Sequence, residues 1–161
     1  MSLNKPYLLT PDGLKRLTEE LEHLRTTRRE EVAERLHRAL EDGQDDDFVD
    51  NADLEAARNE LSFLEGRIME LETILRNYQL INDEKSPGDS VRIGSYVTVV
   101  EVGLDLEERY HLVGPAEANP AEGRISNESP LGRALIGAKT GAVVKANAPG
   151  GLIEFKVTRI E

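Results

Sequence analysis

The chain has 161 residues, of which 39% are hydrophobic and only 4% aromatic, with no cysteine and a net charge of −11. That length suits one or two small domains with an aliphatic core, and the lack of cysteine excludes disulfides and thiolate metal sites, as fits a reducing compartment. An acidic balance argues against unaided binding to nucleic acid, which depends on neutralising phosphates, and favours a metal or a basic protein partner. The start, Met-Ser-Leu-Asn-Lys-Pro, has no apolar signal region, and no apolar run approaches membrane-spanning length. A cytoplasmic protein, monomeric and without a membrane contact, is therefore expected.

The first helix is predicted to open at Thr10-Pro11-Asp12-Gly13. Thr10 suits the cap, Pro11 the first helical position, and Asp12 the positive helix end. Leu14, Leu17, Leu21 and Leu24 follow at spacings of three and four, forming one apolar seam. The seam breaks at Arg28 and Arg29 and resumes in a shifted phase at Val32, Leu36 and Leu40. No Pro or Gly interrupts Leu14 to Asp42, so a helix of about 30 residues, ~45 Å long, is expected.

A second helix is expected from Asn51 or Asp53, with an unslipped heptad seam of Leu54, Ala57, Leu61, Leu64, Ile68, Leu71, Leu75 and Tyr78. Two such helices joined by a short connection must run antiparallel, seam against seam. Arg25, Arg28, Arg29, Arg35, Arg38, Arg58, Arg67 and Arg76 read as surface residues pairing with acids at helical spacing. His23 and His37 have no partner at metal-ligand spacing and read as surface residues.

The connection is the most unusual stretch. Glu41 to Asp53 holds seven acidic residues, including Asp45, Asp46 and Asp47 in a row, and no Lys or Arg lies between Arg38 and Arg58. Adjacent like charges destabilise a compact turn. A bound divalent cation such as Mg²⁺ would offset that repulsion, since hard cations take carboxylate oxygens. The alternative is a solvated acidic loop. A calcium loop of the EF-hand kind is disfavoured, because Asp45, Asp47 and Val49 break its alternating ligand positions. The acidity is uneven: residues 1–83 carry 11 basic and 20 acidic side chains, and residues 84–161 carry 9 and 11.

Beyond Ser86-Pro87-Gly88, a turn or linker signal, alternation replaces helical spacing. Ser95–Val102 and Glu108–Val113 read as a hairpin, as do Gly141–Ala146 and Gly151–Ile160 across Pro149-Gly150. Between them, Ser129 caps a short helix over Pro130–Ile136, closed by Gly137. The sum is α+β in two domains: a coiled-coil hairpin over residues 1–80 with its acidic tip at 42–53, and a small antiparallel sheet with one short helix over 81–161. The second half has no Ser–His–Asp set, no phosphate loop and no metal cluster, and its one histidine, His111, reads as a strand surface residue.

At this point the residues carry a resemblance. Asp47-Phe48-Val49-Asp50-Asn51-Ala52-Asp53, Glu55 to Arg58, Glu65-Gly66-Arg67-Ile68, Ile125-Ser126, Ser129 to Gly137 and Pro149 to Val157 stand in the order and spacing of one family. The chain resembles the bacterial Gre transcription elongation factors (GreA/GreB) over essentially its full length. The resemblance implies an FKBP-like C-terminal domain that docks on RNA polymerase, at a coiled coil of the β′ subunit beside the secondary channel. It implies a hairpin that enters the channel, and no free-standing enzyme activity. Asp47 and Asp50 fall on the two acidic tip positions that help hold the second catalytic Mg²⁺ of the polymerase, with Asn51 beside them and Asp45 and Asp46 as added carboxylates. The result would be hydrolysis of backtracked RNA by two-metal chemistry. No tight metal binding is expected without the polymerase. Arg58 falls on the basic position that contacts RNA. Ser129, Pro130, Leu131, Gly132, Arg133, Leu135, Ile136 and Gly137 fall in the part of the domain that faces polymerase.

The tip departs from the family pattern, which reads Gly-Asp-apolar-Lys-Glu-Asn. Gly43-Gln44-Asp45-Asp46 precedes Asp47, Val49 replaces the Lys, and Asp50 replaces the Glu. A second reading follows: an inhibitor that occupies the same channel without promoting cleavage. A prolyl isomerase, suggested by the fold alone, would need an aromatic-lined pocket. The second half offers for this only Tyr96, Tyr110 and Phe155.

Overall fold

The computed structural model describes residues 5–42, 52–81 and 89–161. The chain divides into two compact units, Leu14–Arg76 and a second made of Met1–Gly13 with Asn77–Glu161. By contacts, both flanks of the helical segment group with the sheet.

The helical unit is a hairpin. Its first arm comprises α1 (Pro11–His23), a π-helical turn (Leu24–Arg28) and α2 (Arg29–Asp42), and its second arm is α3 (Ala52–Arg76). The π turn falls where the seam slips in the sequence. Continuing the spacing of Leu17 and Leu21 would place Arg28 in the seam, but Val32 is the next fully buried residue. A π turn accommodates one extra residue. It shifts the phase by that residue and places Val32 and Ala39 in the interior, while the half-buried Arg28 reaches across to Glu60. Leu40, expected in the seam, is exposed, and the smaller Ala39 takes its place.

The second arm buries Ala57, Leu64, Ile68, Leu71 and Ile74. It ends at Arg76, so Tyr78 lies in a strand and not in the seam. The arginines do more than pair along their own helices. Arg25 meets Glu72, Arg28 and Arg35 both meet Glu60, Arg29 meets Glu65, and Arg67 meets Glu20, each across to the other arm. Early residues of one arm meet late residues of the other, as antiparallel packing requires. The Arg67 and Arg29 guanidiniums each hold both oxygens of their partner, at 2.7 and 3.0 Å for Arg67–Glu20 and 3.2 and 3.0 Å for Arg29–Glu65. Such forked pairs fix register as well as adding energy.

In the other unit, β1 (Tyr7–Leu9) pairs in parallel with β2 (Tyr78–Leu80). The main sheet contains β3 (Tyr96–Glu101), β4 (Glu107–Val113), β5 (Arg124–Ser126), β6 (Val143–Ala148) and β7 (Gly151–Ile160) in the order β5-β4-β3-β7-β6. All neighbours are antiparallel except β4 and β5, which are parallel. Helix α4 (Pro130–Leu135) completes the FKBP-like arrangement. One face of the sheet, with α4, encloses Val91, Val97, Val99, Leu112, Ile125, Leu135, Ala146, Phe155 and Val157. The alternation read in the sequence marks this face.

A buried polar contact joins the start of α1 to this unit. The Thr10 backbone N–H and hydroxyl each donate to the Glu117 carboxylate at 2.7 Å, and the same hydroxyl accepts from the Gly13 N–H at 3.0 Å. Thr10 is thus the helix cap expected of it, itself held from a 3-10 turn at Pro115–Glu117. Gly13 leaves room for this carboxylate, since a Cβ would lie 1.9 Å from its oxygen and would displace it.

Candidate functional site

The expected metal ligands Asp47 and Asp50, the added Asp45 and Asp46, and Asn51 all lie outside the described residues. The helices that bracket them are described. α2 ends at Asp42 and α3 begins at Ala52, so the acidic run occupies the connection between the two arms. The α3 end of that connection carries Asp53 and Glu55 in its first turn, where acids favour the positive end of the helix.

Between the arms, next to this connection, lies a depression of about 310 Å³ lined by Arg35, Arg38, Ala39, Asp53, Ala56, Ala57 and Glu60. Its two cations are engaged: Arg35 Nη1 donates to Glu60 at 2.5 Å, and Arg38 donates to Glu34. The neighbouring Arg35 and Arg28 guanidiniums hold the Glu60 carboxyl below its usual range. Arg58 is exposed, and no partner for it is present among the described residues. Its side chain is available to a ligand in a way those of Arg35 and Arg38 are not.

The second candidate surface is built on α4. The Ser129 hydroxyl accepts from the Gly132 N–H at 3.1 Å and donates to the Ser126 carbonyl at 2.7 Å. Pro130 takes the first helical position. A Cβ on Gly132 would lie 1.9 Å from the Ser126 carbonyl oxygen, so only glycine lets the helix sit this close. Of the residues expected to face a partner, Gly132 and Leu135 are buried and Leu131 packs against the core. Pro130, Arg133, Ile136 and Gly137 are exposed, and Ser129 is half-buried.

Beside α4 is an open depression of about 680 Å³, lined by Ser90, Val91, Arg92, Ile93, Asn127, Arg133, Ile136 and Gly137. The Asn127 Oδ1 in its wall is the one buried side-chain polar atom without a partner among the described residues. Arg92, Ile93 and Asn127 were not expected at a site. They stand on loops, where no periodicity marks a surface. None of Tyr96, Tyr110 and Phe155 lines this depression. Phe155 is in the core, Tyr96 stacks on His111 with ring centroids 4.1 Å apart, and the Tyr110 hydroxyl donates to Glu108 at 2.7 Å.

Among the described residues, no three carboxylate or histidine side chains gather to hold a metal ion, and no helix is long and apolar enough to cross a membrane. Residues 7–80 match the family described as "Transcription elongation factor, N-terminal", and residues 85–161 match "Transcription elongation factor, GreA/GreB, C-term". The chain belongs to the GreA/GreB family of transcription elongation factors. It is 45% identical over 160 residues to the transcription elongation factor GreA of Acetivibrio thermocellus, covering 99% of each chain. It is 42% identical to the GreA of Clostridium novyi with the same coverage. Among solved structures it is similar to the GreA factor homolog 1 (Gfh1) protein of Thermus thermophilus, at 32% identity, 98% and 99% coverage and a TM-score of 0.44.

Within the GreA/GreB family, then, this chain sets its acidic run between two long helices and its exposed α4 surface on the sheet unit. The two are built from separate parts of the sequence.

Proposed function

We propose that this chain binds RNA polymerase through its sheet unit, carries the acidic connection of its hairpin to the polymerase active centre through the secondary channel, and stimulates cleavage of backtracked RNA. The observation that carries this reading is the run of seven acidic residues from Glu41 to Asp53, four of them in the connection between the two arms of the hairpin, in a chain of the GreA/GreB family. Asp47 and Asp50 supply carboxylate oxygens, the donor type that Mg²⁺ prefers. A Mg²⁺ shared with the polymerase would supply a metal-activated water and stabilise the leaving oxygen. The chain's own part is to deliver the carboxylates, to hold them on a stiff pair of helices, and to offer Arg58 to the RNA backbone. Docking falls to Pro130, Arg133 and Ile136 around the open depression, against the β′ coiled coil. The chain is thus a cofactor protein and not an enzyme in its own right.

The added Asp45 and Asp46 favour a second reading, in which the same placement inhibits the polymerase. More carboxylates at one point compete for the ion and obstruct nucleotide arrival.

Backtracked elongation complexes with labelled RNA separate the two. Release of short 3′ fragments on adding the protein in Mg²⁺, lost in Asp47→Ala, is the result expected of a cleavage factor. Cleavage at the intrinsic rate, with nucleotide addition slowed as protein is added, would establish inhibition instead. An absence of both effects would overturn polymerase as the partner.

A further inference from the structure

Helix α1 runs unbroken from Pro11 to His23, yet its first turn, through Gly13, groups with the sheet unit, and Leu14 onward belongs to the hairpin. One helix therefore passes from the unit that docks, in the reading above, into the unit that carries the acidic connection. Thr10, which opens this helix, is 3% exposed, and Glu117, whose carboxylate holds Thr10, is 4% exposed. The cleavage chemistry makes no use of this buried acid.

Capping alone does not require it either. The Thr10 hydroxyl accepts from the Gly13 N–H at 3.0 Å, which already completes an ordinary cap. Glu117 adds two bonds of 2.7 Å, one to each carboxylate oxygen, from the N–H and the hydroxyl of the same residue. A forked grip on one residue fixes direction as well as distance. The backbone around it is equally close. A Cβ on Gly13 would lie 1.9 Å from the Glu117 carboxylate, and a Cβ on Gly114 would lie 2.3 Å from the Leu8 carbonyl oxygen. The other arm ends beside the same segment: α3 stops at Arg76, and the Asn77 carbonyl accepts from the Tyr7 N–H at 3.0 Å.

The length of the arm makes this grip matter. From Pro11 to Asp42 the first arm is helical throughout, a length of about 48 Å. A tilt of about 5° in its first turn moves its far end by about 4 Å. Groups that assist catalysis must be held to within about 0.5 Å. We propose that Glu117 is a positioning residue for transcript cleavage: acting through Thr10, it sets the course of the first turn of α1, and so where the carboxylates of the connection arrive once the sheet unit has docked. This rests on the cleavage reading above, and adds to it a residue that acts through a helix cap and not on the metal.

The test separates positioning from stability and from docking. Full-length wild type, Glu117→Gln, Thr10→Val and Thr10→Ser are compared with Val99→Ala, which weakens the core of the same unit. Each is melted alone, bound to core RNA polymerase, and titrated into backtracked elongation complexes at a temperature where every variant is folded. Glu117→Gln is expected to bind polymerase within about twofold of the wild type, while its maximal cleavage rate at saturating protein falls about tenfold. Thr10→Val, which loses only the hydroxyl bonds, should fall in the same direction, and Thr10→Ser, which keeps them, should match the wild type. Val99→Ala should melt lower and yet reach the wild-type maximum, because a loss of stability alone does not lower the rate of a folded, saturated complex. A wild-type maximum in both Glu117→Gln and Thr10→Val overturns the proposal and leaves the cleavage reading standing. So does weaker binding with an unchanged maximum, which would make the contact a docking element, and so does an equal fall in Val99→Ala. No stimulation of cleavage by the wild type itself overturns both.

Discussion

Thr10 and Glu117, 107 residues apart in the sequence, are joined by two buried hydrogen bonds of 2.7 Å, from the Thr10 backbone N–H and from its hydroxyl. One carboxylate thus fixes the residue that caps the first helix, and both partners are almost wholly shielded from water. Replacing Glu117 by Gln leaves one of two donors facing an amide that also donates. The expected loss is about 2 kcal/mol, in the range for hydrogen bonds to charged groups. Gly13→Ala should destabilise comparably, since its Cβ would displace the carboxylate. Chemical denaturation of the two variants checks both, and wild-type stability in either would refute the account of the contact.

At the connection between the arms, Asp47→Ala and Asp50→Ala are each expected to abolish cleavage stimulation while leaving polymerase binding and thermal stability unchanged. Cleavage retained in both variants would remove these two residues as the metal-directed pair. Calorimetry of the protein alone with Mg²⁺ should show negligible heat, because one connection cannot supply a full octahedral shell.

Arg58→Ala should lower cleavage about tenfold, the worth of one charge-assisted contact, without changing helicity. The expectation rests on its exposure and on the lack of an ion-pair partner among the described residues. An unchanged cleavage rate would exclude it from the RNA contact.

The π turn makes a prediction about length. Deleting Thr27 removes the extra residue, so Val32, Leu36 and Ala39 fall into the phase of Leu17 and Leu21 without a π turn. The deletion should be folded and melt at least as high as the wild type, whereas inserting an alanine after Thr27 should lower the melting temperature. Circular dichroism melts decide this, and a destabilised deletion would mean that the turn itself contributes packing.

The cross-arm pairs predict an acid response. The Arg35 and Arg28 guanidiniums hold the Glu60 carboxyl below its usual range, and Arg25 does the same for Glu72. A depressed folded value means that the contribution is present above the unfolded value and lost as pH falls through the folded one. Hairpin stability should therefore fall as pH is lowered through and below the ordinary carboxylate range. The effect is small because these groups are screened by solvent. Glu60→Gln should flatten that dependence in melts taken from about pH 7 to about pH 3. An identical slope in the variant would show that these pairs do not couple to folding.

Much of this was legible in the sequence. The leucine seam announced the hairpin, and its slip after Leu24 marked the π turn, although spacing alone does not say whether a slip is absorbed by a bend, a break or a wider turn. Alternation found β3, β4, β6 and β7. Strands β1, β2 and β5 are three residues each, too short to show a period, and their partners lie far along the chain. Glu117 gives no local sign either, because its burial depends on Thr10 and not on its neighbours. The arginines of the arms were read as pairing along their own helices, and many of them pair across, since a single sequence does not give the register between two arms. The acidic connection was conspicuous because its charge conflicts with the stability of a turn, and such conflicts between local chemistry and fold mark function.

The sheet unit draws on both ends of the chain, and this gives folding an order. The hairpin's contacts are nearly all between residues that meet by turning back once, so it can form as soon as Arg76 has left the ribosome. Strand β1 is made first of all and yet must wait for β2, and Thr10 must wait longer still for Glu117. Until then the first residues remain an unpaired strand edge, the segment most open to proteases and to mispairing in a nascent chain. Glu117 is therefore a late latch, and a variant lacking it should be betrayed first by cleavage near its amino terminus, before any change shows in the hairpin.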